Sequence, residues 1–169
     1  MSGAPTLRIT TSGDREIVMT REFNAPRALV FDAYTKPELL KRWLGPRRWS
    51  LVVCEIDLTV GGNWRYVMRA DDGTEMEMRG IYREIVPAER LVSTESFDPP
   101  WFPGESLNTL TLVEHGGRTT ATTSVLYESK DVRDMVLLSG LESGVAESYD
   151  RLAELLASAG EHSVAGCHG

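Results

Sequence analysis

Apolar and polar residues alternate with period two through most of the chain. The period lengthens to three or four in two places only. Residues 15–23 (REIVMTREF) read as a strand rich in β-formers, ended by Asn24. Pro26 suits the first turn of a helix, where its missing N–H costs nothing, and Leu29, Val30 and Ala33 continue at helical spacing. Thr35 and Glu38 fit a capping box for a second short helix, which Leu39, Leu40 and Trp43 give an apolar side and Gly45-Pro46 ends. Strands follow. Residues 49–58 are β-branched and apolar, and Gly61-Gly62 turns the chain. In 63–70, Trp64, Tyr66 and Met68 share one face, with Arg65, Val67 and Arg69 on the other. Asp71-Asp72-Gly73 is a hairpin turn signal. Residues 74–86 place Met76 and Met78 against Glu75, Glu77 and Arg79 until Gly80 interrupts, the mark of a bulge or bend. Residues 90–97, 106–114 and 118–127 read as further strands. The 98–104 stretch, DPPWFPG, is a loop, since three prolines cannot stay in a ladder.

The second helical region covers about 130–158. Ser129 is placed to N-cap it, and Leu138, Leu141, Val145, Tyr149, Leu152 and Leu156 recur at three- and four-residue steps. The order is a strand, two short helices, about six antiparallel strands and one long helix. Strands segregated from helices predict an α+β fold, with a sheet that curls and leaves one face for the long helix to cover. Residues 1–13 form an extension in which Leu7 and Ile9 alternate as in a short edge strand. A single domain is expected over 14–159, and a loose tail over 160–169.

Composition narrows the partners. The 169 residues suffice for one self-sufficient core. Acids exceed bases by 25 to 18, a net charge of −7, which argues against nucleic acid as the main partner. The longest apolar runs are four residues, such as Met135 to Leu138, against the ~20 a spanning helix needs. The start of the chain has no signal-peptide block. Cys54 and Cys167 form no disulfide framework. A reducing cytoplasm is the expected compartment.

Several clusters invite chemistry. The Trp64–Tyr66–Met68 and Met76–Met78 faces suit an apolar ligand pocket, and equally suit plain core. Gly140 and Gly144, each costing about 1 kcal/mol within a helix, form with Ser148 a shallow stripe. That stripe either leaves cavity room or admits a close-packed backbone. Lys41, Arg42, Arg47 and Arg48 alternate with Trp43 and Trp49, a pattern seen where single strands bind. Here the cations sit at a helix end, where they are favoured in any case. Trp101 and Phe102 in the proline-stiffened loop suggest a cavity lid or a partner contact, unless they fold back onto the core. His115 borders a Gly-Gly turn, and His162, Cys167 and His168 lie in the tail, so no metal site is read. Cys54 reads as a small buried hydrophobe. Glu95 and Asp98 are candidate acids or bases near any interior cavity, without an evident partner. No nucleophile, phosphate-loop or metalloprotease motif is present, and no cofactor is implied.

Four stretches carry a family resemblance: REFNAPRALVFDAYTKPELLKRWLGP at 21–46, CEIDLTVGGNWRYVMRADDG at 54–73, RGIYREIVPAERLV at 79–92 and SGLESGVAESYDRLAELL at 139–156. They resemble the SRPBCC (START-like, birch-pollen-allergen-like) superfamily, and more narrowly the bacterial homologues of the C-terminal domain of the heat-shock-protein-90 ATPase activator. The resemblance implies a helix-grip fold, a curved antiparallel sheet of six to seven strands around the C-terminal helix, with two short helices plugging one end. It also implies an internal cavity, which in the superfamily holds lipids, sterols, polyketides or similar molecules. The residues expected to line it are Trp43, Trp64, Tyr66, Met68, Met76, Met78, Phe97, Trp101, Phe102, Leu138, Gly140, Leu141 and Gly144. Non-catalytic binding of a small hydrophobic or aromatic molecule is therefore the first expectation, by a monomer or homodimer. The alternatives are a chaperone-interaction module, with the Trp101–Phe102 loop as a contact, and a polyketide cyclase- or aromatase-like enzyme using Tyr66 and a nearby carboxylate.

Overall fold

The computed structural model describes residues 7–168, with side chains described through residue 158. The chain forms β1 (Arg8–Ser12), β2 (Glu16–Phe23), α1 (Arg27–Thr35), α2 (Pro37–Trp43), β3 (Trp49–Ile56), β4 (Asn63–Ala70), β5 (Glu75–Val86), β6 (Arg90–Asp98), β7 (Ser106–His115), β8 (Arg118–Leu126), α3 (Lys130–Leu138) and α4 (Leu141–His168). All eight strands pair antiparallel in one sheet, in the order β1-β2-β8-β7-β6-β5-β4-β3. The fold is the α+β helix grip, with β1 as an eighth strand at one edge. Helices α1 and α2 carry the chain from β2 across to the opposite edge at β3. From there the strands meander back until β8 pairs with β2.

Each short helix starts by a different device from the one its sequence suggests. Pro26 is the N-cap of α1, one step before the helix, its carbonyl accepting from Leu29 N and Val30 N. The Thr35–Glu38 capping box does not form. Thr35 Oγ1 instead donates to Phe31 O at 2.8 Å, and Lys36 caps α2 with Pro37 at its first position. Proline there is preorganised for the first turn, and Lys36, before a proline, takes the extended conformation that breaks the chain between the helices.

The predicted single C-terminal helix is two. Ser129 caps α3 as expected, its side chain accepting from Val132 N at 3.2 Å. The helix stops at Ser139, and Gly140 turns at φ +84 before α4 begins. A residue with a Cβ rarely adopts that conformation. The break lets α3 pack Val132 and Val136 on Ile17, Met19 and Val125, while α4 aims Tyr149, Leu152, Leu155 and Leu156 at Phe23, Trp43 and Leu110 on the gripped face. The backbone of α4 is helical through His168, past residue 160 where a tail is predicted, and Gly169 lies outside the described residues.

Polar contacts hold α4 in place. Arg21 Nη1 donates to Asp150 Oδ1 at 2.8 Å. Ser148 Oγ accepts from Gly45 N at 3.0 Å and donates to Trp43 O at 3.3 Å. Arg151 donates to Gly45 O at 2.9 Å and Arg42 O at 3.2 Å, so a cation closes the carbonyl end of α2. Among the described residues, no helix is long and apolar enough to cross a membrane.

Candidate functional site

Period-two geometry sends alternate side chains of each strand to the α4 side of the sheet. On β6 these are Leu91, Ser93, Glu95 and Phe97. With Trp64 and Tyr66 of β4, Tyr82 of β5, Asn108 and Leu110 of β7, and Thr123 and Val125 of β8, they wall a cavity of about 290 Å³. Leu141, Val145, Ser148 and Tyr149 of α4 cover it. Tyr34, Trp43 and Leu44 of the short helices close it toward the turn at Glu89, which Arg27 of α1 reaches with a 3.4 Å ion pair. Trp101, Phe102 and Tyr127 complete the wall near the far end of β6.

Seven of the expected lining residues meet here: Trp43, Trp64, Tyr66, Phe97, Trp101, Phe102 and Leu141. The other six do not line it. Met68 packs beneath the turn after α2, its Cε occupying the space a Cβ on Gly45 would need. Met76 pairs with Met68, and Met78 is partly buried against the core. The Met68 end of the hairpin is thus covered by the chain leading out of α2, and only the Trp64–Tyr66 end opens on the cavity. Leu138 is 88% exposed, because the break at Gly140 turns the end of α3 away from the stripe of α4. Gly140 has open space around its α-carbon, and Gly144 faces Pro46 at an ordinary contact distance, so neither makes cavity room.

The proline-rich loop folds inward. Phe102 is buried, its ring 4.9 Å from Trp101, 5.4 Å from Phe97 and 5.3 Å from Tyr127, in edge-to-face pairs. Phe102 is therefore cavity wall and cannot be the outward contact that the chaperone-module reading assigned to it. Trp43 is likewise buried, its indole donating to Ala33 O at 2.9 Å, so the neighbouring basic cluster lacks that aromatic for stacking. Arg47 of that cluster pairs with Glu154 at 2.7 Å.

The polar side of the cavity was largely missed from sequence. Ser106 Oγ donates to Asn108 Oδ1 at 3.0 Å, and Asn108 Nδ2 donates to Glu95 Oε1 at 3.1 Å. This chain sets the amide so that its NH₂ faces the carboxyl. Burial pushes the Glu95 carboxyl above its usual range, and the Asn108 hydrogen bond offsets part of that rise. Burial also raises the hydroxyls of Tyr34, Tyr66, Tyr82 and Tyr127, so all four stay neutral. Among the described residues, Tyr34 Oη and Trp64 Nε1 are buried polar atoms without a hydrogen-bond partner. The signal for Glu95 lay in the Leu91–Ser93–Glu95–Phe97 alternation, which puts an acid on the same face as a leucine and a phenylalanine. Asp98, one position beyond this face, is exposed.

Other reactive groups stand apart. Cys54 on β3 is half-buried, and desolvation pushes its thiol up to about 11, so it is no ready nucleophile. His115 is exposed beside its turn. Among the described residues, no three His, Cys, Asp or Glu side chains cluster to hold a metal ion. The predicted tail residues His162, Cys167 and His168 have side chains outside the described set.

The family model described as "Activator of Hsp90 ATPase homolog 1-like protein" matches residues 24–157. A crystal structure of a protein from Rhodobacter sphaeroides is similar at 29% identity, covering 90% of this chain and 99% of that one, with a TM-score of 0.85. A protein from Nitrosomonas europaea is 26% identical over 89% of this chain and 99% of its own, with a TM-score of 0.79. One from Mycobacterium smegmatis is 25% identical over 90% and 96%, also with a TM-score of 0.79. Among curated proteins, none matches.

Proposed function

The chain belongs to the family of activator-of-Hsp90-ATPase-like proteins, and on that premise we propose that it binds a small apolar or aromatic molecule, without catalysis, in the cavity between sheet and α4. The observation that carries this reading is the cavity itself. At about 290 Å³ it has roughly twice the volume of the ~150 Å³ apolar cavity that accommodates benzene. Its walls follow the usual composition of a small-molecule site, mostly aromatic and aliphatic with a few placed polar groups. One or two rings fit that space.

The test is native mass spectrometry of the protein purified under mild conditions, together with titration by an environment-sensitive apolar dye. A retained small molecule, or saturable dye binding displaced by one- and two-ring compounds, supports the reading. Absence of both overturns it. A chaperone-binding role draws support from the family description. It requires an outer surface other than Phe102. Pull-down of the host's heat-shock-protein-90 homologue, with measurement of its ATPase rate, tests it; no association and an unchanged rate would end it.

A further inference from the structure

The cavity holds an acid with no base to answer it. Glu95 is its one carboxylate among the described lining residues, and no lysine, arginine or histidine joins it there. Among the described residues its hydrogen bond comes from Asn108, a neutral amide, at 3.1 Å. The titratable groups beside it are the phenols of Tyr66 and Tyr127, with Tyr82 elsewhere on the same wall, and none carries a positive charge. A carboxylate left in such a place without a cation is costly to keep. An anionic ligand such as a fatty acid would add like charge to it. A cation brought by the ligand would remove the cost. The walls suit a cation as well, since Trp64, Tyr66, Tyr82 and Phe97 line them and aromatic rings attract an ammonium group. The net charge of −7 favours cations arriving from solution.

We propose that the ligand of this cavity is a small aromatic or alicyclic amine, bound as its ammonium ion with Glu95 as the counter-ion and the surrounding rings as the cage. This rests on the cavity reading above and names the chemistry that the cavity selects. The ammonium N–H groups donate to the carboxylate and to phenol oxygens, while the ring system fills the apolar part toward Leu110, Val125 and Val145. Burial holds the empty site's carboxyl toward its protonated form, and the arriving ammonium draws it back to the carboxylate. Amine affinity therefore falls as the solution is acidified through the carboxyl's raised range.

The test compares 2-phenylethylamine, 2-phenylethanol and 3-phenylpropionate by calorimetry at neutral pH, on the wild-type protein and on Glu95→Gln. The expected result is amine binding at least tenfold tighter than alcohol, with the carboxylate compound weakest. Glu95→Gln should erase the amine's advantage and leave the alcohol's affinity within twofold. On the wild-type protein alone, amine affinity should fall on acidification while alcohol affinity holds, a readout that survives a poorly folded variant. Equal binding of alcohol and amine, or an amine preference that persists in Glu95→Gln, would overturn the proposal and leave the cavity reading standing. Failure of all three compounds to bind the wild-type protein also overturns the amine proposal, while the cavity reading falls only if the dye titration and native mass spectrometry are negative as well.

Discussion

The indole of Trp64 lies against Gly80, with Nε1 2.7 Å from the point where a Cβ on residue 80 would stand. The same Cβ would collide with the carbonyl oxygen of Thr94 on β6. The interruption that Gly80 makes in the pattern of β5 is thus a groove for one of the three tryptophans of the cavity wall. Gly80→Ala should destabilise the protein by about 1–3 kcal/mol through overpacking. Gly144→Ala, whose Cβ meets only Pro46 at 3.5 Å, should stabilise by up to about 1 kcal/mol through helix propensity. Urea unfolding midpoints of the two variants, measured against the parent, check both signs.

Ser148→Ala leaves Gly45 N and Trp43 O without their side-chain partner at the junction of α2 and α4. A loss of about 1–3 kcal/mol is expected, the range for stranding a buried polar group. Ser143→Ala, an exposed position on the same helix, should stay within about 0.5 kcal/mol. Equal midpoints for the two variants would contradict the role given to Ser148.

Tyr34→Phe removes a buried hydroxyl that has no hydrogen-bond partner among the described residues. It should be close to neutral, because the hydroxyl makes no well-formed hydrogen bond to Tyr149 or Thr123 beside it and a desolvated polar atom goes. Thermal melts should show no fall in the midpoint.

Glu95 sets a pH signature in the ligand-free protein. Its folded-state carboxyl is raised by burial above the unfolded value of about 4.3. The contribution is therefore fully present below the unfolded value and is lost as pH rises through the folded one. Glu95→Gln lacks this loss. Its melting temperature relative to wild type should climb between pH 4 and 7, and a flat difference would contradict the burial of the carboxyl.

Cys54, with a thiol near 11, should be thiolate in about one molecule per thousand at pH 8. In a Cys167→Ser background, alkylation by iodoacetamide at pH 8 should be far slower for the native protein than for the urea-unfolded one. Equal rates would show an open thiol.

The strands and their turns were legible because period two and turn chemistry are local. Trp64 with Tyr66, and Asp72 with Gly73, announce themselves within a few residues. Six of the thirteen residues expected at the cavity lie elsewhere, for reasons that are not local. Met68 has the same parity as Trp64, yet the chain leaving α2 covers it. Leu138 continues the heptad-like stripe on paper, but one left-handed residue, Gly140, rotates it into solvent. Glu95 was legible as an acid near the cavity, but without a partner. Its importance depends on Asn108, which reaches it from a neighbouring strand.

The pairing of β2 with β8 has a consequence for biosynthesis. Phe23 pairs with Thr119 and Glu16 with Leu126, roughly a hundred residues apart in the chain. At 5–20 residues per second, a ribosome needs on the order of 5–20 s to deliver β8 after β2 has emerged. Over that interval β2 has no partner on its inner edge, and an open strand edge recruits foreign strands. The short β1 hairpin occupies its outer edge from the start, so the nascent chain exposes one adhesive border of β2 and not two. The last strand made is the one that turns the meander into a closed grip, and a message truncated before residue 118 would yield a product whose β2 and β7 both lack the neighbour they share.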